Sequence, residues 1–154
     1  MKKVAISPFC AILYNIKKEV IEMLKQVLTG KIHCARLTMC DLNYEGSMAI
    51  DIAYLRAADI LPYEKILVVN RSNGERLETY AIPAAEGSRM FCLNGPAALK
   101  GAVGDVVTVM AFSLCEAAEA AAINPSIIVL NDKNDIVQRK GRIADRDMLG
   151  GAKA

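Results

Sequence analysis

The sequence predicts a mainly β protein, a small closed barrel of about six short strands with few and short helices. Two observations carry this reading. Apolar, β-branched runs of strand length recur at similar spacing from Val27 to Leu130. Turn residues punctuate them, with Asn73-Gly74 as the clearest pair and Gly87, Gly95, Gly101 and Gly104 marking turns or bulges. Many short strands with few helices between them point to closure on themselves rather than to a doubly wound sheet.

In chain order, Val27 to Thr38 alternates and holds β-branched residues, a first strand. Asp51 is placed to cap a helix over Ile52 to Ala58. Glu64 to Asn70 contains Ile66, Leu67, Val68 and Val69, a buried strand, and Asn73-Gly74 turns it tightly into Leu77 to Ile82. Arg89 to Leu93, Val103 to Phe112 and Ser126 to Leu130 complete the set. Ser113 is read as the cap of an Ala-rich helix over Leu114 to Ile123, which Asn124-Pro125 stops.

The length of 154 residues suits one compact domain. With 19 Lys plus Arg against 17 Asp plus Glu, the net charge is +2, and no basic run suggests a nucleic-acid partner. At 53% hydrophobic and 23% charged, most of the chain is not disordered. His33 is the sole histidine, which excludes a two-histidine metal site. Cys10, Cys34, Cys40, Cys92 and Cys115 form no C-x-x-C pair, a pattern of free thiols in a reducing, cytoplasmic setting. A Cys34 or Cys40 nucleophile beside His33 is poorly supported, because neighbours on a strand face opposite ways.

Lys2 and Lys3 precede an apolar run from Val4 to Tyr14 that superficially resembles a signal peptide. No cleavage site follows, the run is too short to span a membrane, and Lys17, Lys18, Glu19 and Glu22 succeed it. Residues 1–22 are therefore read as an extension or leader, with Met23 a second plausible start. Residues 23–131 form the barrel domain, and 132–154 a polar, partly disordered tail.

The chemistry sits in Gly30 to Ser47, G-K-I-H-C-A-R-L-T-M-C-D-L-N-Y-E-G-S. Here the sequence resembles the pyruvoyl-dependent aspartate decarboxylase family. The likeness starts at Met23 and runs through Ile50-Asp51. It continues through Asn73-Gly74-Glu75-Arg76, Thr79-Tyr80-Ala81-Ile82, Gly87-Ser88-Arg89 and Asn94-Gly95 to Val103-Gly104-Asp105. A Gly-Ser dipeptide alone would carry no weight, since Gly87-Ser88 repeats it. The resemblance implies a double-psi β-barrel, a homotetramer and conversion of L-aspartate to β-alanine and carbon dioxide, which feeds pantothenate and coenzyme A. It leaves room for a maturation factor as a partner.

It also implies a cofactor made from the chain, with neither metal nor pyridoxal phosphate. The Gly46-Ser47 bond is cleaved by the protein itself, and Ser47 becomes a pyruvoyl group. Gly46 lacks a Cβ, so its carbonyl is open to the Ser47 hydroxyl. The new ketone forms a Schiff base with the substrate amine and accepts the electrons released on loss of the carboxylate. By the same likeness Thr79 donates near the scissile carbonyl and Tyr80 supplies a proton. Lys31 and Arg76 bind carboxylate, and Asn94, Gly95, Pro96 and Ala97 line the substrate pocket. His33 is read as supporting, with Tyr44 as its polar neighbour near the cleavage loop.

Without the resemblance, Lys31 and Arg76 would be solvated charges, Tyr80 and Thr79 ordinary strand residues, and Asn94-Gly95-Pro96 a turn. Two departures from the family pattern matter. Pro96 removes a backbone N–H from the pocket turn, leaving Ala97 as donor. Val69 stands where some members carry a large aromatic, which implies a roomier pocket. The alternative function is a barrel of the same fold that does not process and serves as a binding or assembly module.

Overall fold

The computed structural model describes residues 23–142. It is mainly β, with nine strands and few short helices. Strand β1 (Lys25–Arg36) is followed by β2 (Met39–Asp41), β3 (Met48–Asp51) and helix α1 (Ile52–Ala57). Then come β4 (Lys65–Asn70), β5 (Arg76–Ala84), β6 (Phe91–Asn94) and a 3-10 turn (Gly95–Lys100). The described part ends with β7 (Val106–Cys115), α2 (Ala117–Ala122), β8 (Ser126–Leu130) and β9 (Ile136–Lys140). The sheet order is β2-β6-β3-β5-β4-β7-β1-β8-β9. Pairs β1/β8, β2/β6 and β3/β5 are parallel. Among the described residues no helix is long and apolar enough to cross a membrane.

The inner face is built by alternation. In β4 the buried residues are Ile66, Val68 and Asn70; in β7 they are Val107, Val109 and Ala111; in β8, Ser126, Ile128 and Leu130. Burying each Val, Ile, Leu or Phe stabilises by about 1.5–3 kcal/mol, so this face drives the fold. Strand β1 must bend to follow it, and does so at two irregularities, Leu28/Gly30 and Ile32/Ala35. Gly30 is required there, because a Cβ would lie 2.5 Å from the Ala58 carbonyl oxygen.

Asp51 caps α1 as the sequence suggested, its Oδ1 accepting from Ala53 N at 2.9 Å. Its Oδ2 accepts from Arg89 N at 2.8 Å, tying the helix to the segment before β6. Other expectations change. The described residues form nine strands, three beyond those read from the sequence, because β2 and β3 are too short to stand out there and β9 carries few apolar residues. Ser113 is not a helix cap: β7 continues to Cys115 against β1, and α2 is capped by Glu116, which forms a capping box with Glu119.

Within the stretch after Asp132, expected to be a polar tail, the described residues 133–140 join the body of the fold. Strand β9 pairs with β8, and Asn134 is 3% exposed. The Asn134 side chain accepts from Arg36 N at 2.8 Å and donates to Arg36 O at 3.0 Å, completing the end of β1. Its carbonyl accepts from the Tyr54 hydroxyl, and the Tyr54 ring stacks on Phe91 at 5.0 Å between centroids.

Candidate active site

The Gly46–Ser47 peptide lies between two strands. Met48 pairs with Ala81 of β5 on one side and with Leu93 of β6 on the other. Ser47, one residue earlier, falls level with Tyr80 and Asn94, and Asn94 N donates to Ser47 O at 3.0 Å. The preceding loop leaves β2 by an Asx turn, Asp41 Oδ1 accepting from Asn43 N at 2.9 Å. It carries Leu42 and Tyr44 into solvent, then dives inward so that Ser47 is only 4% exposed.

The backbone at the junction is strained. Gly46 has φ 136° and Ser47 has φ 84°, and a non-glycine residue in such a region costs about 1–3 kcal/mol. Moreover, Ser47 Oγ is buried with no hydrogen-bond partner among the described residues. A buried orphan hydroxyl adds a further penalty of about 1–3 kcal/mol. The Oγ of a residue can reach the carbonyl carbon of the residue before it through a five-membered ring. A hydroxyl held by nothing else, beside a carbonyl flanked by a Cβ-free residue, suits that attack.

An open pocket of about 300 Å³ adjoins this peptide. It is lined by Gly46 and Ser47, by Leu77, Glu78 and Thr79 of β5, and by Asn94 with Pro96, Ala97 and Lys100 of the 3-10 turn. Gly95 has φ 57°, and a Cβ on it would meet Tyr44 O at 2.6 Å and Gly46 Cα at 3.0 Å. The pocket turn thus packs directly on the cleavage loop. Asn94 is 4% exposed, and its Oδ1 accepts from the Cys92 thiol at 3.1 Å. Burial raises the Cys92 pKa, so the sulfur keeps the proton it donates.

Lys31, Arg76 and Tyr80 lie elsewhere. Directly paired residues share a sheet face, and the registers run Lys31–Met110–Leu67–Glu78, Thr108–Val69–Arg76 and Lys65–Tyr80. These side chains occupy the outer face, whereas Thr79 pairs with the buried Ile66 on the inner one. Tyr80 is 43% exposed. His33 Nδ1 is 3.0 Å from Thr108 Oγ1, which makes Thr108 a polar neighbour of the ring. Burial, reinforced by the charges of Lys31, Arg71 and Lys140, lowers the His33 pKa and favours a neutral ring.

Within one chain, then, Gly46, Ser47, Thr79, Asn94, Pro96 and Ala97 come together, with Gly95 bracing the loop. Lys31, Arg76, Tyr80 and His33 share the outer face of the β1-β7-β4-β5 strands and do not line this pocket. Two contributors escaped the sequence reading. Lys100 ends the short turn that begins at Gly95, and Cys92 sits two residues before Asn94, the period that aligns side chains on a strand.

Comparison with known proteins bears on the same residues. The family described as aspartate decarboxylase matches residues 23–137. Aspartate 1-decarboxylase of Listeria monocytogenes serotype 4a is 49% identical over 114 residues, 74% of this chain and 90% of that protein. The enzyme of the same name from Coprothermobacter proteolyticus is 46% identical over 118 residues, 77% of this chain and 97% of its own length. That from Desulfotalea psychrophila is 46% identical over 114 residues, covering 74% and 96%. Strands β1 to β8 and the Ser47 pocket fall inside the matched span, and the chain belongs to the aspartate decarboxylase family.

Proposed function

We propose that this chain decarboxylates L-aspartate to β-alanine, using a pyruvoyl group that it makes from Ser47 and supplying β-alanine for pantothenate in the cytoplasm. The observation that carries the reading is the orphan Ser47 Oγ, buried at a junction with positive φ on both sides. In the self-processing step, Oγ attacks the Gly46 carbonyl carbon, and the C–N bond breaks as the nitrogen takes the hydroxyl proton. Loss of the Ser47 α-proton then expels the Gly46 carboxylate. One water hydrolyses the remaining enamine, releasing ammonia and leaving a ketone. The residues fit that group: the surrounding cavity is open to a small substrate, and Thr79 and Asn94 bring donors to it.

Once formed, the pyruvoyl carbonyl supplies the electrophile for the substrate amine and the sink for the electrons released with carbon dioxide. The chain's own groups do the rest. Asn94 N–H already holds the carbonyl of residue 47, which becomes conjugated to the ketone and gains from a preorganised donor. Thr79 is assigned to the Gly46 carbonyl during processing. Tyr80 is assigned as proton donor, and Lys31 and Arg76 as carboxylate ligands.

Those last three residues do not line the Ser47 pocket of their own chain, so they are assigned to the pocket of another copy. An oligomer, expected to be a homotetramer, supports them by bringing the outer face of one copy to the Ser47 pocket of another. The half-buried Leu67, Val69 and Met110 around Lys31 and Arg76 give that face apolar area to cover. Borohydride reduction with L-aspartate is the test. An aspartate-derived adduct on the fragment beginning at residue 47 is expected; absence of both adduct and carbon dioxide release would refute the proposal.

A further inference from the structure

The Ser47 pocket contains a cation that the family pattern does not supply. Lys100 lines it, and neither Lys31 nor Arg76 does. The backbone of Lys100 is fixed, its carbonyl accepting from Asn70 Nδ2 at 3.1 Å and Asn73 Nδ2 at 3.0 Å. Its Nζ is 2.8 Å from Glu75 Oε2, joining the 3-10 turn to the residue that precedes β5. Both side chains are close to half exposed, 44% and 43%, so solvent screens the pair and a competing carboxylate can exchange with Glu75. The pocket's other charged residue, Glu78, has its carboxylate on Lys65 at 2.6 Å.

We infer that Lys100 binds the carboxylate that the substrate retains, displacing Glu75 as it does so. This deepens the decarboxylase reading and rests on it. Aspartate carries two carboxylates, and the departing one must lose its charge. A cation held tightly on that group would stabilise the bound substrate more than the transition state, so Lys100 joins the assigned carboxylate ligands Lys31 and Arg76 on the other. Pro96 gives the inference its second support. It removes an N–H donor from the pocket turn, and a lysine four residues later in the same turn restores the lost anion affinity with a full charge. Glu75 holds the ammonium in place while the pocket is empty.

The test titrates succinate, an unreactive dicarboxylate, into the full-length protein by calorimetry. It compares wild type with Lys100→Gln, Lys100→Arg and Glu75→Gln, and measures KM for L-aspartate in parallel. Loss of one charge-assisted contact should weaken succinate binding about tenfold in Lys100→Gln, with KM moving more than kcat. Lys100→Arg should restore most of the affinity, and Glu75→Gln should tighten binding by freeing the ammonium. Three results would overturn the inference: no succinate binding by wild type, unchanged affinity in Lys100→Gln, or a Glu75→Gln variant as weak as Lys100→Gln. The last would mark the pair as a structural tie. A wild type that binds succinate but releases no carbon dioxide would count against the decarboxylase reading instead, with the variants still deciding the role of Lys100.

Discussion

Gly95→Ala tests whether the pocket turn holds the cleavage loop in its reactive shape. Two costs combine at this position. An alanine at φ 57° pays about 1–2 kcal/mol for the left-handed conformation. Its Cβ would also stand 2.6 Å from Tyr44 O, roughly 0.7 Å inside an ordinary C···O contact, and the atoms it meets are backbone. Relief requires moving the segment from Tyr44 to Gly46. The expected loss is about 2–4 kcal/mol, and a displacement of several tenths of an ångström should slow cleavage at least about tenfold. Gly74→Ala is the control: φ is 78° but nothing lies within 4 Å, so only the conformational cost of about 1–2 kcal/mol applies. Stability is measured by urea unfolding with both changes placed in uncleavable Ser47→Ala protein, and cleavage by intact mass with Ser47 present. The reasoning is refuted if Gly95→Ala loses no more stability than Gly74→Ala and cleaves at the wild-type rate.

The remaining predictions concern other parts of the fold. Proton NMR of the sole imidazole should place the His33 midpoint below 6.5. From pH 6.5 down to that midpoint the unfolded chain binds a proton that the folded chain refuses, so stability falls as pH falls, and His33→Gln should flatten that limb. A midpoint at or above 6.5 contradicts the burial argument. Asn134→Ala should cost about 2–4 kcal/mol in urea unfolding by orphaning both backbone groups of Arg36; a loss under about 0.5 kcal/mol would show that the contact does not anchor β1. Tyr80→Phe should cleave yet turn over poorly, and normal turnover would remove Tyr80 from proton donation.

Much of the architecture was legible because it is local. Asn73-Gly74 announces the β4–β5 hairpin, and Asp51 announces α1. What was hidden depends on distant pairing. Strands β2 and β3 are short, and each pairs in parallel with a strand far along the chain, β6 and β5. Strand β9 exposes nearly all its side chains and is held by backbone bonds to β8, so hydrophobic pattern has nothing to register. At the site, Ser47 was found through its resemblance to a family, since neither composition nor periodicity distinguishes it from Ser88. The split between Thr79 inside and Tyr80 outside follows from strand alternation, but which face meets the pocket depends on the register of four strands. Lys100 was missed because its place depends on the Asn70 and Asn73 amides and on Glu75, none of which its immediate neighbours reveal.

The proposed activity depends on this chain cutting itself at Gly46–Ser47 and keeping the new end as a ketone. Intact mass spectrometry of the purified protein, followed by Edman degradation of the separated species, tests it most directly. The account predicts a fragment of residues 1–46 and a fragment of residues 47–154, the second refusing Edman chemistry because a pyruvoyl end has no amine. A single species at the full 16.7 kDa after prolonged incubation, or a second fragment that sequences normally from Ser47, would contradict it.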